Sequence, residues 1–145
     1  MSMNGDWYNE TGSRMRIVVD PAGGIKGSYI SAKGHAVGTY PLAGRYDTVA
    51  LPEHGTTLGW TVAWRNERND AGSVTNWNGQ YYEDGTGPEH ICATWLLTAS
   101  ATAANVWEAT AVGQDVFTHV PPTPERTEGH RRQTVAASHP ERLPG

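Results

Sequence analysis

Apolar side chains recur at every second position through most of the first 120 residues. The stretch from Thr57 to Arg65 shows it most clearly. Leu58, Trp60, Val62 and Trp64 share one parity, against Thr57, Gly59, Thr61, Ala63 and Arg65. A period of two sends neighbouring side chains to opposite faces of an extended strand, whereas a helix needs a spacing of three to four. The same alternation runs from Ser13 to Val19, where Ser13, Met15, Ile17 and Val19 fall together. Asp20-Pro21-Ala22-Gly23-Gly24 then reads as a turn, and Ile25 to Ser31 as the returning strand. Further strands are predicted at Trp7–Asn9, Thr39–Tyr46, Asn76–Tyr82, Ile91–Ala99 and Val112–His119. Seventeen glycines and nine prolines suit short connections, and only Ala101 to Glu108 has the composition of a helical turn. About eight closely spaced strands predict an all-β antiparallel sandwich or barrel.

Parity also predicts what the interior holds. One inward set is Thr75, Trp77, Gly79 and Tyr81; another is Ile91, Ala93, Trp95, Leu97 and Ala99; a third is Gly113, Asp115, Phe117 and His119. Tyr29 and Ser31 fall together, as do Trp7 and Asn9. A purely structural core favours side chains with no polar atoms to satisfy, because an unpaired buried polar group costs free energy. Here six tryptophans and six tyrosines accompany one phenylalanine. Indole walls around convergent Asn, Ser, Thr, Tyr and Asp describe a small-molecule pocket.

Several other functions are excluded. No run approaches the roughly 20 apolar residues of a membrane helix, and the basic residues are too scattered for a nucleic-acid footprint. One cysteine, Cys92, leaves no disulfide framework or Cys-cluster metal site, and it reads as a packed, unreactive thiol. The six histidines show no ligand spacing of three to five. Only Asp115 among the carboxylates falls in an inward set, so a glycosidase-type carboxylate pair does not emerge. The domain is read as residues 1–120. Residues 121–145 are rich in Pro and charge with almost no large apolar side chains, which predicts a disordered tail.

Seven segments resemble the streptavidin/avidin family, in order and at matching separations. They are Trp7-Tyr8-Asn9 with Gly12-Ser13, Gly27 to Ala32, Gly44 to Asp47, Leu58 to Trp64, Trp77-x-Gly79-Gln80-Tyr81, Trp95 to Thr98 with Ala104-Asn105-x-Trp107, and Val112-Gly113-x-Asp115-x-Phe117-Thr118. The resemblance implies an eight-stranded antiparallel up-and-down β-barrel that binds biotin at one mouth, with no cofactor and no catalysis. It implies that Asn9, Ser13 and Tyr29 donate to the ureido oxygen of biotin, and that Asp115 and Ser31 take the ureido N–H groups. Thr75 would approach the ring sulfur. Ser73 and the backbone at Gly34 and His35 would hold the carboxylate. Trp64, Trp77, Trp95 and Leu97 would form the wall, and Trp107 would come from a neighbouring subunit. Thr11 and Lys33, in the loops at the mouth, complete the expected set.

His35, Lys33, Thr11 and Gln114 depart from the family pattern. Gln114 stands at a position implied to lie between subunits, so assembly is the feature the resemblance fixes least. Trp107 implies a dimer pair that exchanges this residue, and the expected homo-oligomer is built from such dimers, as a tetramer first and another assembly of dimers second. The resemblance suggests a secreted bacterial protein, although no signal peptide is read in this chain. It also raises the question whether the tail, which is long enough, enters a neighbouring subunit's pocket. The alternatives are a barrel for another small ligand or a sugar, and, remotely, a glycosidase-type enzyme. Neither a nucleic acid nor a membrane is an expected partner.

Overall fold

The computed structural model describes residues 3–31, 38–65, 72–83, 87–125 and 138. The alternating segments become eight strands: β1 Gly5–Tyr8, β2 Arg14–Val19, β3 Gly24–Ile30, β4 Thr39–Tyr46, β5 Thr56–Ala63, β6 Ser73–Tyr82, β7 His90–Ala99 and β8 Thr110–Thr118. Each pairs antiparallel with its sequence neighbour, and β8 returns to β1, closing an up-and-down barrel. A short 3-10 helix, Ala103–Glu108, joins β7 to β8 where a helical turn is expected from the sequence. Among the described residues no helix is long and apolar enough to cross a membrane.

Turn chemistry sets the registers. After β2 the Asp20 carboxylate accepts from the amides of Ala22 and Gly24, and Gly23 takes φ 97°, a value that excludes most side chains. Directly opposed residues share a face in an antiparallel ladder, so register lays side chains out in rows. One row crosses the barrel as Gly44, Trp60, Trp77, Trp95 and Gly113. Three indoles therefore stand side by side, with a glycine at each end. A Cβ on Gly44 would lie 2.7 Å from Trp60 Cα, and one on Gly113 would lie 2.7 Å from Trp95 Cε2. The glycines make room for the rings.

The inward parity sets hold along most of their length. Met15, Ile17, Leu58, Trp60, Val62, Trp64, Trp77, Tyr81, Ile91, Trp95 and Phe117 are all buried. Two expectations fail. His119 lies beyond the end of β8 and is exposed, because alternation no longer governs a residue once the ladder ends. It instead lies against Trp7 at a 34° tilt, with centroids 3.8 Å apart, and its ring nitrogens face the Asp6 carbonyl and the Glu89 carboxylate, each at 2.9 Å. Cys92 is exposed rather than packed, since its parity on β7 is opposite to that of Trp95. Strand β6 also starts three residues earlier than expected, at Ser73.

The barrel closes on a narrow seam. Tyr8 opposite Thr118 is the one described pair joining β1 to β8. Side chains reinforce it: the Val116 amide donates to Glu10 Oε1 at 2.9 Å, just beyond the end of β1, and His119 ties the end of β8 to Asp6. At the far end of the barrel from Trp64 and Ser73, Trp7 Nε1 donates to the carbonyl of the fully buried Met3 at 2.8 Å.

Candidate ligand-binding site

The polar side chains expected inside are gathered within the barrel. Asn9, Ser13, Ser31, Ser73, Thr75 and Asp115 are buried, and Tyr29 has no exposed surface. Asn9 sits where β1 turns into β2, a turn made by Gly12 at φ 88° and closed by the Asn9 amide donating to the Ser13 carbonyl at 3.1 Å. Its side-chain oxygen accepts three bonds, from the Thr11 amide (3.1 Å), the Thr11 hydroxyl (2.8 Å) and the Ser13 amide (3.0 Å). That oxygen is saturated. The amide group is thereby fixed with its NH2 toward the interior, where Nδ2 donates to the Tyr29 hydroxyl at 3.3 Å. The Thr11 hydroxyl is thus engaged in holding Asn9.

Opposite these donors stands an acceptor. Asp115, on β8, is 4% exposed and its Oδ2 accepts from Trp77 Nε1 at 3.0 Å. Among the described residues no other side chain is seen to bond this carboxylate. Its row on the barrel runs through Ala93 and Gly79, so its neighbours on β7 and β6 are small. Asp115 is also the one acidic residue buried among those described, and no group of His, Cys, Asp and Glu there could hold a metal. Burial pushes the Tyr29 phenol well above its ordinary pKa, and the Asp115 charge adds to the rise, so Tyr29 is held as a neutral donor.

Aromatic rings enclose this cage. Tyr29 stacks on Trp77 (centroids 5.1 Å) and meets Trp64 edge-on (5.4 Å); Trp77 stacks in turn on Trp60 (5.5 Å), and Tyr40 meets Trp64 edge-on (5.1 Å). Trp60 and Tyr40 were not among the expected site residues; strand register, which the sequence does not state, is what brings them in. Nearer the mouth, Trp64 Nε1 donates to Thr75 Oγ1 at 2.7 Å. The indole N–H of Trp95 and the hydroxyl of Ser73 are buried without a partner among the described residues. Leu97 is half-buried beside this wall. Lys33, Gly34 and His35 lie outside the described residues. Trp107 does not join the site of its own chain: it stands on the 3-10 helix at 95% exposure.

One residue arrives from outside the strand pattern. Ser138 is 1% exposed, and its carbonyl accepts from Thr75 Oγ1 at 2.6 Å. The Thr75 hydroxyl therefore accepts from Trp64 and donates to Ser138. The Ser138 side chain lies close enough to the Tyr29 phenol to counter part of its rise in pKa. Its own hydroxyl has no partner among the described residues.

Comparison with known proteins agrees with this architecture. A family model described as the avidin family matches residues 1–120. Avidin of Gallus gallus is 33% identical over 124 residues, covering 82% of this chain and 78% of its own length. Avidin-related protein 1 of the same species is 32% identical over 123 residues, with 81% and 77% covered. Afifavidin of Afifella pfennigii is 30% identical over 122 residues, with 82% and 70% covered.

Proposed function

Since the chain belongs to the avidin family, we propose that its barrel binds biotin without covalent chemistry and thereby sequesters the vitamin. The observation that carries this reading is the fixed polarity of the cage. Asn9 is held as a donor beside the neutral phenol of Tyr29, and Asp115 is an acceptor with one oxygen engaged by Trp77. A cyclic urea is an acceptor oxygen flanked by two N–H donors, a polarity complementary to donors at Asn9 and Tyr29 and an acceptor at Asp115. Asn9, Ser13 and Tyr29 serve the ureido oxygen, and Asp115 with Ser31 serves the N–H groups. The negative charge of Asp115 favours the polarised form in which the ureido oxygen gains charge, and charge-assisted bonds are the strong ones. Thr75 faces the ring sulfur, while Ser73, Lys33, Gly34 and His35 attend the carboxylate at the mouth. Thr11 acts through Asn9.

The wall supplies the remaining free energy. Trp64, Trp77, Trp95 and Leu97 cover apolar ligand surface at roughly 25 cal/mol per Å². Because Thr75 and Asp115 are carried on strands and Asn9 is bonded to its own turn and to Tyr29, little side-chain freedom remains to be lost on binding.

In this reading the exposed Trp107 closes the pocket of a neighbouring subunit, which makes the dimer the functional unit. Leu96 opposite Val112 on the outer face of β7 and β8, with Val74 and Val116 nearby, provides apolar surface for pairing dimers into a tetramer. The reading also places the protein outside the cell, where a binder can deplete free vitamin. Titration calorimetry with biotin, paired with light scattering, tests it. Saturable binding at one site per chain is expected, and no heat with biotin would overturn the reading.

A further inference from the structure

The turn that carries Asn9 is joined to the strand that carries Asp115 by a bond the backbone does not make. Tyr8 lies opposite Thr118, and antiparallel register continued two steps further would set position 10 opposite position 116. The backbone leaves the ladder before that point. It folds into a turn in which the Gly12 amide donates to the Asn9 carbonyl and the Asn9 amide to the Ser13 carbonyl, each at 3.1 Å. Glu10 falls inside this turn, and its carboxylate takes the place of the missing rung: Oε1 accepts from the Val116 amide at 2.9 Å. We propose that Glu10 is a positioning residue of the binding cage, a side-chain rung that fixes the distance between the donor Asn9 and the acceptor Asp115. The proposal deepens the biotin-binding reading and rests on it for the identity of the ligand.

Each end of this rung is one residue away from a wall of the cage. Asn9 precedes Glu10, and Asp115 precedes Val116. The cage groups are otherwise held on their own sides of the seam, Asn9 by Thr11 and the Ser13 amide, Asp115 by Trp77. Neither of these sets of bonds crosses from β1 to β8. The ladder at the seam supplies Tyr8 opposite Thr118 as the one described pair. Spacing across the seam therefore depends on few contacts, and a hydrogen bond to a carboxylate is roughly twice as strong as a neutral one. The Glu10 charge is felt in the cage as well. Burial does most to raise the Tyr29 pKa, the Asp115 charge adds to the rise, and the Glu10 charge adds further. A small rigid ligand bonds donor and acceptor at once, so a drift of about 1 Å between them carries one of its bonds out of range.

The test compares Glu10→Gln, Glu10→Asp and Glu10→Leu in the full chain. Gln keeps an acceptor at the same reach without the charge, Asp withdraws the acceptor by one methylene, and Leu has none. Glu10→Leu should release biotin about tenfold faster than the parent. Glu10→Asp should follow it part of the way, and Glu10→Gln should restore the rate to within about threefold of the parent. Without ligand, amide exchange at Val116 should quicken in the Leu variant and not in the Gln variant. The Trp77 indole N–H resonance, which reports on the Asp115 carboxylate, should shift in the same pattern. Combining Glu10→Leu with Asp115→Asn separates positioning from support of the fold. A rung that acts through the Asp115 bond should cost only about twofold once that bond is lost, whereas a residue that merely stabilises the barrel costs the same in both backgrounds. Should Glu10→Leu fail to fold, Glu10→Asp carries the same comparisons.

Equal penalties in the two backgrounds, a Gln variant as fast as the Leu variant, or a Trp77 resonance unmoved by Glu10→Leu would each overturn the proposal. A parent that does not bind biotin, with Val116 and Trp77 still responding to Glu10→Leu and not to Glu10→Gln, would overturn the biotin reading and leave the rung in place.

Discussion

Replacing Asp115 by Asn changes one atom and separates the carboxylate's two duties. Its Oδ2 is engaged by Trp77 Nε1 at 3.0 Å, and the side chain is 4% exposed, so a ligand N–H must use the remaining oxygen. A carboxylate serves both donors; an amide has a single acceptor oxygen and turns an NH2 toward whichever donor it fails to serve. If Trp77 keeps that oxygen, Asp115→Asn presents a donor to the ureido N–H. One hydrogen bond to a charged group is then lost, worth about 1.5–3 kcal/mol, or roughly 10- to 150-fold in affinity. In Trp77→Phe the competing donor is absent, and the amide can turn its oxygen to the ligand. The same substitution should then cost only the difference between a charged and a neutral bond, about 1 kcal/mol. The unliganded barrel should keep its stability, because Trp77 remains satisfied and a buried charge has been removed. The assay is a double-mutant cycle on biotin dissociation constants, with urea unfolding of each unliganded variant. Equal penalties in both backgrounds, or an unchanged affinity for Asp115→Asn alone, would refute this division of duties.

Three further substitutions probe the cage. Thr11→Val removes one of three donors to Asn9 Oδ1 and should speed biotin dissociation about 2- to 10-fold, by the net worth of one hydrogen bond. Thr11→Ser should restore the slow rate, and a Val variant as slow as the parent would show that the amide needs no such hold. Gly113→Ala drives a Cβ against the Trp95 ring; it should cost about 1–3 kcal/mol of stability and weaken biotin binding together, as read by urea midpoint and calorimetry. Tyr29 predicts a pH dependence whose sign is fixed by its raised folded-state pKa. Its contribution is fully present below the free phenol's 10.0 and is lost above it, where the unfolded chain ionises and the barrel does not. Urea midpoints above pH 10 should therefore fall more steeply for the parent than for Tyr29→Phe, by up to about 1.4 kcal/mol per pH unit. Parallel slopes would contradict it.

Much of this was legible in the sequence because strand alternation is a local signal. Leu58, Trp60, Val62 and Trp64 announce β5 and its buried face without reference to any other segment. Asp115 stood out because a carboxylate among inward apolar residues needs an explanation. What escaped depends on register or on chain ends. The side-by-side indoles exist only because Trp60, Trp77 and Trp95 fall opposite one another, and spacing along one strand cannot state that. The triple bond that orients Asn9 belongs to a turn whose backbone, not its composition, aims the donors. His119 was carried inward by a parity that stops with the ladder. Ser138 was hidden for a different reason. Composition describes the average surface a segment can bury, and one small residue seated in a cavity barely alters that average.

The thin junction between the first and last strands has a mechanical consequence. Neighbouring ladders run to as many as ten opposed pairs along β6 and β7, while among the described residues one pair closes the ring. Under load or denaturant the cylinder should unzip there first, with Tyr8 and Thr118 losing amide protection before any other strand residues. Joining the present ends and recutting between two long strands would move the loose edge from that joint to a stronger one. Such a circular permutant would unroll by a different route while keeping the same cup.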